Sequence, residues 1–151
     1  MNIKNILWFV FLVVVLFFIF NTKTNKQIPD VIEEEQQAVS VLGPNKDDLL
    51  ALSIAPGSTV TGEFVLEGVV KNAYFFEGNI SIDLLDANQN VIKAGYGTAT
   101  TDWMTVEPVT FISNVDATGL SGPGYIKIQN DDPSDGEGGP AKIILVPVVF
   151  N

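Results

Sequence analysis

The chain has 151 residues, with 18 acidic and eight basic side chains, a formal charge of −10, and no Cys, His or Arg. Those absences exclude a disulfide framework, an acylated cysteine, a thiolate nucleophile and a His-dependent triad. All the acids lie at or after Asp30, where five lysines leave a formal −13, and such a polyanion repels the phosphate backbone of nucleic acid.

The first element is hydrophobic. Met1-Asn-Ile-Lys4 is followed by an unbroken apolar run, Ile6 to Phe20. Fifteen helical residues span about 22 Å, short of a ~30 Å hydrocarbon layer, but Ile3 and a snorkelling Lys4 extend the helix. A cleaved signal peptide needs small residues after its apolar core, whereas Asn21 to Lys26 is polar and the first alanine is Ala38. Residues 1–20 are therefore expected to be an uncleaved signal anchor that holds the protein in a membrane. Residues 21–48, including Glu33-Glu34-Glu35, lack apolar periodicity and read as a flexible polar spacer. Lys4 on one side and Lys23 with Lys26 on the other leave the positive-inside count close to a tie.

From Leu49 to Asn151 the pattern changes to short β-rich runs divided by turn residues, the mark of an all-β domain. Leu49–Ile54 is the first expected strand, ended by Pro56-Gly57. Val60–Val70 follows, with Phe64, Leu66, Gly68 and Val70 on one face. Asn79–Leu85 places Ile80, Ile82 and Leu84 on one face and Ser81 with Asp83 opposite. Asp86 to Asn90 is turn chemistry, and Val91–Thr101, Val109–Val115 and Tyr125–Gln129 complete the middle of the domain. In the last strand, Lys142–Phe150, Pro147 lacks a ladder donor and belongs at an edge or a bulge.

Several of these segments carry a resemblance. Ser53-Ile-Ala-Pro56-Gly57-Ser-Thr-Val60, Gly68 through Phe76-Glu77, Asp102-Trp103-Met104-Thr105 with Phe111, and Asp131-Asp132-Pro133-Ser134 together resemble the immunoglobulin-like domain of bacterial spore germination proteins. The resemblance covers roughly residues 50–151. It implies an immunoglobulin-like β-sandwich of about seven strands, an extracytoplasmic place on the cell surface and a non-catalytic role, but no ligand. The expected function is a membrane-anchored binding or assembly module of the cell envelope. Its partner would be an envelope protein or a cell-wall glycan. A carbohydrate-binding module and a self-associating structural component are the alternatives.

The candidate residues follow from the same segments. Trp103 is expected in or beside the core, because so small a domain needs a large aromatic anchor, while an exposed Trp103 would be a ligand platform. Met104 and Phe111 are expected in the core, and Asp102 is expected to cap its corner. Among Tyr74, Phe75 and Phe76, strand alternation sends at least one side chain outward, which makes Tyr74 and Phe75 candidate partner contacts. No cofactor is implied and no metal site is assigned. Asp131, Asp132, Asp135 and Glu137 could form only a loose Ca²⁺ site, since Pro133 and Lys142 stand where an EF-hand needs ligands. No nucleophile elbow or paired-acid motif points to catalysis.

Overall fold

The computed structural model describes residues 39–131 and 140–151. They belong to one compact unit, Ala38–Asn151. The expected anchor at 1–20 and most of the expected spacer lie outside the described residues. Among the described residues no helix is long and apolar enough to cross a membrane.

The described residues are all-β, with one 3₁₀ turn at Lys46–Asp48 and nine strands in place of the seven or so expected. They are β1 (Leu49–Leu52), β2 (Thr59–Val60), β3 (Glu63–Val70), β4 (Asn79–Asp86), β5 (Val91–Lys93), β6 (Tyr96–Ala99), β7 (Val109–Asp116), β8 (Gly122–Gln129) and β9 (Ile143–Phe150). The hydrogen-bonded path is continuous, β1-β3-β7-β6-β4-β8-β9-β2, with β5 on β4. The sheet curls so that inward residues of both halves share one core: Leu66, Val70, Phe111 and Val115 from one, Ile80, Ile126, Ile144 and Val146 from the other.

The extra strands come from two runs that the sequence presents as single. Val91–Thr101 breaks at Ala94-Gly95, where the Gly95 N–H donates to Asp83 Oδ1 at 3.2 Å and the Gly95 carbonyl accepts from Ile82 at 3.0 Å. Beyond the break β6 pairs with β4 on one side and β7 on the other, so it bridges the two halves. Below β6 the halves part around a cleft of about 300 Å³ lined by Ile82, Leu84, Gly95 and Val115, with Lys93 and Asp116 on its wall. Those two form an ion pair at 2.9 Å, and Lys93 also donates to the Thr118 carbonyl.

The second split parts Val60–Val70 into β2 and β3, and β2 belongs with the segment that begins at Val39. The Leu42 N–H and carbonyl exchange hydrogen bonds with Leu145 on β9 at 2.8 and 2.9 Å, and the Asn45 N–H donates to the Ile143 carbonyl. The chain then crosses to β3 as β1, turns at Pro56-Gly57, and returns to β9 as the parallel strand β2. One segment thus covers both outer strands of the sheet, β3 and β9, in alternation. Residues 39–48, which the sequence places at the end of the spacer, are part of this lacing. Pro147 sits where its missing donor costs nothing. Its neighbours Leu145 and Val149 donate outward to Leu42 and Ser58, and Pro147 falls in the gap between them.

Inside the sheet, alternation accounts for most of the burial. Leu66, Gly68 and Val70 are buried on β3 as expected, with Phe64 partly buried beside them. Gly68 is required by packing, because a Cβ there would stand 2.5 Å from the Phe111 ring. The outer face of β4 departs from the simple pattern, since Asp83 is buried there. Lys127 on β8 pairs with it at 2.8 Å, and Ser81 and Gly95 supply further donors. A carboxylate removed from water needs these partners.

Candidate functional site

β3, β6 and β8 end, and β4, β7 and β9 begin, at one end of the sheet, as the pairings Val70↔Val109, Asn79↔Thr98 and Gln129↔Ile143 require. The loops 71–78 and 100–108 therefore lie there together, beside the described ends of a third connection, residues 130–131 and 140–142. Of the singled-out residues that are described, nearly all lie on or beside these loops. Pro56 and Gly57 are the exceptions, forming the turn that carries the lacing segment from one half of the sheet to the other.

The 71–78 loop closes on a two-residue turn. Phe76 and Asn79 exchange hydrogen bonds at 3.0 and 2.9 Å, and the two residues between them, Glu77 and Gly78, have φ of 50° and 78°. Both angles are positive, as a type I′ turn demands, and such turns favour Asn, Asp or Gly. Glu77 therefore occupies a position that costs a β-carbon residue roughly 1–2 kcal/mol. Ala73 in the same loop also has a positive φ, 69°.

The 100–108 loop rests on this turn. A Cβ at Gly78 would lie 3.4 Å from two atoms of the Trp103 indole, so the ring covers the bare backbone there. The Ala99 N–H donates to the Gly78 carbonyl at 2.8 Å, which ties the loop base to the same residue. Asp102 caps its corner as expected, accepting from the Met104 N–H at 3.0 Å, and Thr105 Oγ1 accepts from Glu107. Trp103 is half-buried and lies outside the core cluster, a correction to the expectation of a core anchor. Met104, expected in the core, is instead 77 % exposed, and Val106 beside it is 83 % exposed. The reason is local: the Asx turn at Asp102 ends any strand alternation, so the side chains after it no longer point inward. Phe111, back in regular β7, is fully buried as expected.

The aromatic triplet is also redistributed. Tyr74 is fully buried and is not a partner contact, and Phe75 packs against the core from its margin. Phe76 is the one that emerges, 39 % exposed. Tyr74 is held by a polar cluster that no local pattern reveals, because Asp48 and Lys142 are remote from it along the chain. Its hydroxyl donates to Asp48 Oδ2 at 3.2 Å, Lys71 pairs with Asp48 Oδ1 at 3.0 Å, and the Lys142 ammonium lies 5.2 Å from the ring centre. Burial, the Asp48 charge and that hydrogen bond push the Tyr74 phenol well above its ordinary range. Burial also pushes the Asp48 carboxyl up, but hydrogen bonds from Lys71 and Tyr74 and the charges of Lys71 and Lys142 outweigh it and hold Asp48 below its usual value.

Of the acidic loop, Asp131 is exposed and its N–H donates to the Tyr74 carbonyl at 3.0 Å. Asp132, Pro133, Ser134, Asp135 and Glu137 lie outside the described residues. Among the described residues no three His, Cys, Asp or Glu gather as metal ligands.

One of three comparisons with known proteins gives a match. Residues 55–137 match the model of the immunoglobulin-like domain of bacterial spore germination, more than half of the chain. The matched stretch runs from the Pro56-Gly57 turn into the acidic loop and so contains both loops that meet at Gly78 and Trp103. Searches of curated proteins and of solved structures gave no match. On the family match, with its signature residues gathered at one end of an all-β unit, the chain belongs to the immunoglobulin-like domain family of bacterial spore germination.

Proposed function

We propose that this protein is a non-catalytic binding or assembly module of the bacterial cell envelope, held by residues 1–20 in a membrane and displayed outside the cytoplasm. Exposed apolar side chains at one end of the sheet, Phe76, Met104 and Val106, carry this reading, because apolar surface gathered on loops suits contact with a partner. The apolar run Ile6–Phe20 supports the tether, and the lack of His and Cys favours binding over catalysis.

The two alternatives have less behind them. Self-association through sheet edges is disfavoured, because the strands at the two ends of the path, β1 and β2, are only four and two residues long. A glycan platform loses Tyr74, which is buried. The proposal is tested by fractionating cells and shaving intact ones with protease. The full chain, starting at or near Met1, is expected in the membrane fraction and its domain is expected to be accessible from outside. A soluble species beginning between residues 22 and 38, or a domain protected in intact cells, overturns it.

A further inference from the structure

Phe76, Met104 and Val106 are exposed apolar side chains on the two loops that meet at Gly78 and Trp103. Their exposure, 39, 77 and 83 %, is far from what a buried anchor shows. The acids interleaved with them are Glu77, Asp102 and Glu107, and residues 99–108 contain no lysine. Among the described residues none of these three acids is in an ion pair, whereas Asp48, Asp83 and Asp116 each have a lysine. The lysine nearest in sequence, Lys71, is already engaged by Asp48.

From this charge pattern we infer that the two loops, through Phe76, Trp103, Met104 and Val106, dock a cationic peptide segment with interspersed apolar side chains, such as a Lys/Arg-bearing strand or tail of an envelope protein. The occupant follows from complementarity. Apolar side chains would cover Met104 and Val106, and the Trp103 and Phe76 faces suit both apolar and cationic groups. Basic side chains would meet Glu77, Asp102 and Glu107, while an acidic or phosphate-bearing partner would face unneutralised carboxylates. The backbone of Glu77 supports the choice. Glu77 stands at a positive φ that Asn or Gly would adopt at lower cost, and what Glu adds there is its carboxylate.

This inference rests on the proposed function and names the chemistry of its partner. The test uses the full-length chain in a non-ionic detergent over an array of immobilised synthetic peptides: Lys/Leu, Lys/Ser, Glu/Leu and Ser/Leu. Binding to Lys/Leu is expected to exceed each of the others by about tenfold, the effect of one good buried contact. The double variant Met104→Ser, Val106→Ser should lose most of that advantage. Glu77→Gln with Glu107→Gln should weaken it several-fold, while Glu63→Gln, an exposed acid at the opposite end, should leave it unchanged. Equal binding to Lys/Ser and Lys/Leu, a preference for Glu/Leu or Ser/Leu, or equal loss from Glu63→Gln would overturn the inference. If a photo-crosslinker at position 104 nevertheless captures an envelope component from intact cells, only the partner chemistry falls. If that also fails, the binding-module reading falls with it.

Discussion

At the end of the sheet where β4 turns into β5, the β4–β5 turn and the β7–β8 connection are short and tied to their own backbone. Asp86 accepts from the Asn88 and Asn90 N–H groups and from the Asn90 side chain, and Asp116 accepts from the Thr118 N–H and from Lys93. Those bonds hold both carboxyls below their usual range, Asp116 at about 2. At the other end the loops are longer, place Ala73 and Glu77 at positive φ, and expose Phe76, Met104 and Val106. Both ends hold a non-glycine residue at positive φ, Gln89 at the first and Ala73 with Glu77 at the second, and the first also exposes Val91 and Ile92. The second differs in carrying the two most exposed large apolar side chains of the described residues, Val106 and Met104, and such departures tend to mark function. The family-signature residues fall mostly at this second end, so the signature combines parts that hold the fold with parts that serve contact.

Mutation separates those two kinds. The largest effect should come from the sheet itself: Phe111→Ala should cost ~3–5 kcal/mol in denaturant unfolding. Lys127→Met, which strands the buried Asp83 carboxylate, should cost about 3 kcal/mol, with Asp83→Asn in the same background restoring part of it. A loss below ~1 kcal/mol for Phe111→Ala would mean that the core is not where the strand register puts it, and one that small for Lys127→Met would mean that the Asp83 carboxylate is reached by water. Trp103→Ala should fall between core and surface, about 1–2 kcal/mol, because the ring covers only the Gly78 turn. A cost equal to that of Phe111→Ala would return Trp103 to the core.

The Asp48 cluster gives a pH-dependent contrast. The folded pKa of Asp48 lies below its unfolded value, so its contribution is complete above the unfolded pKa near 4 and is lost as pH falls through the folded one. Asp48→Asn should lower stability by about 1 kcal/mol at neutral pH and flatten the fall in acid. An unchanged acid profile would show that the cluster does not couple to folding.

How much of this was legible in the sequence depends on the distance over which a residue acts. Alternation in Glu63–Val70 and Val109–Asp116 foretold the buried faces, because each strand is regular and its inner face is apolar. The Asp86–Asn90 turn was equally readable, since its partners lie within four residues. Met104 and Trp103 were misplaced because a single Asx turn at Asp102 ends the periodicity on which a core assignment depends. Tyr74 was misassigned for the opposite reason: its burial is supported by Asp48 and Lys142, far away in the chain, which no local pattern reveals. The lacing role of residues 39–48 was hidden in polar residues whose contribution is backbone pairing with β9.

Two smaller effects sharpen the contrast between the ends. Glu77→Asn should stabilise the domain by up to about 1 kcal/mol by relieving the positive φ, while weakening partner binding. A destabilisation would mean that the Glu77 side chain holds the loop. Met104→Ser should change stability by less than ~0.5 kcal/mol, and a larger loss would show that its side chain packs.

The most direct test of the polarity between the ends is to place a photo-crosslinking side chain at Met104 in one variant and at Asn88 in another, both exposed and at opposite ends. Irradiation of intact cells should give a discrete crosslinked product from position 104 and none, or only diffuse products, from position 88. The same product from both positions, or a discrete product from position 88 alone, would contradict the account.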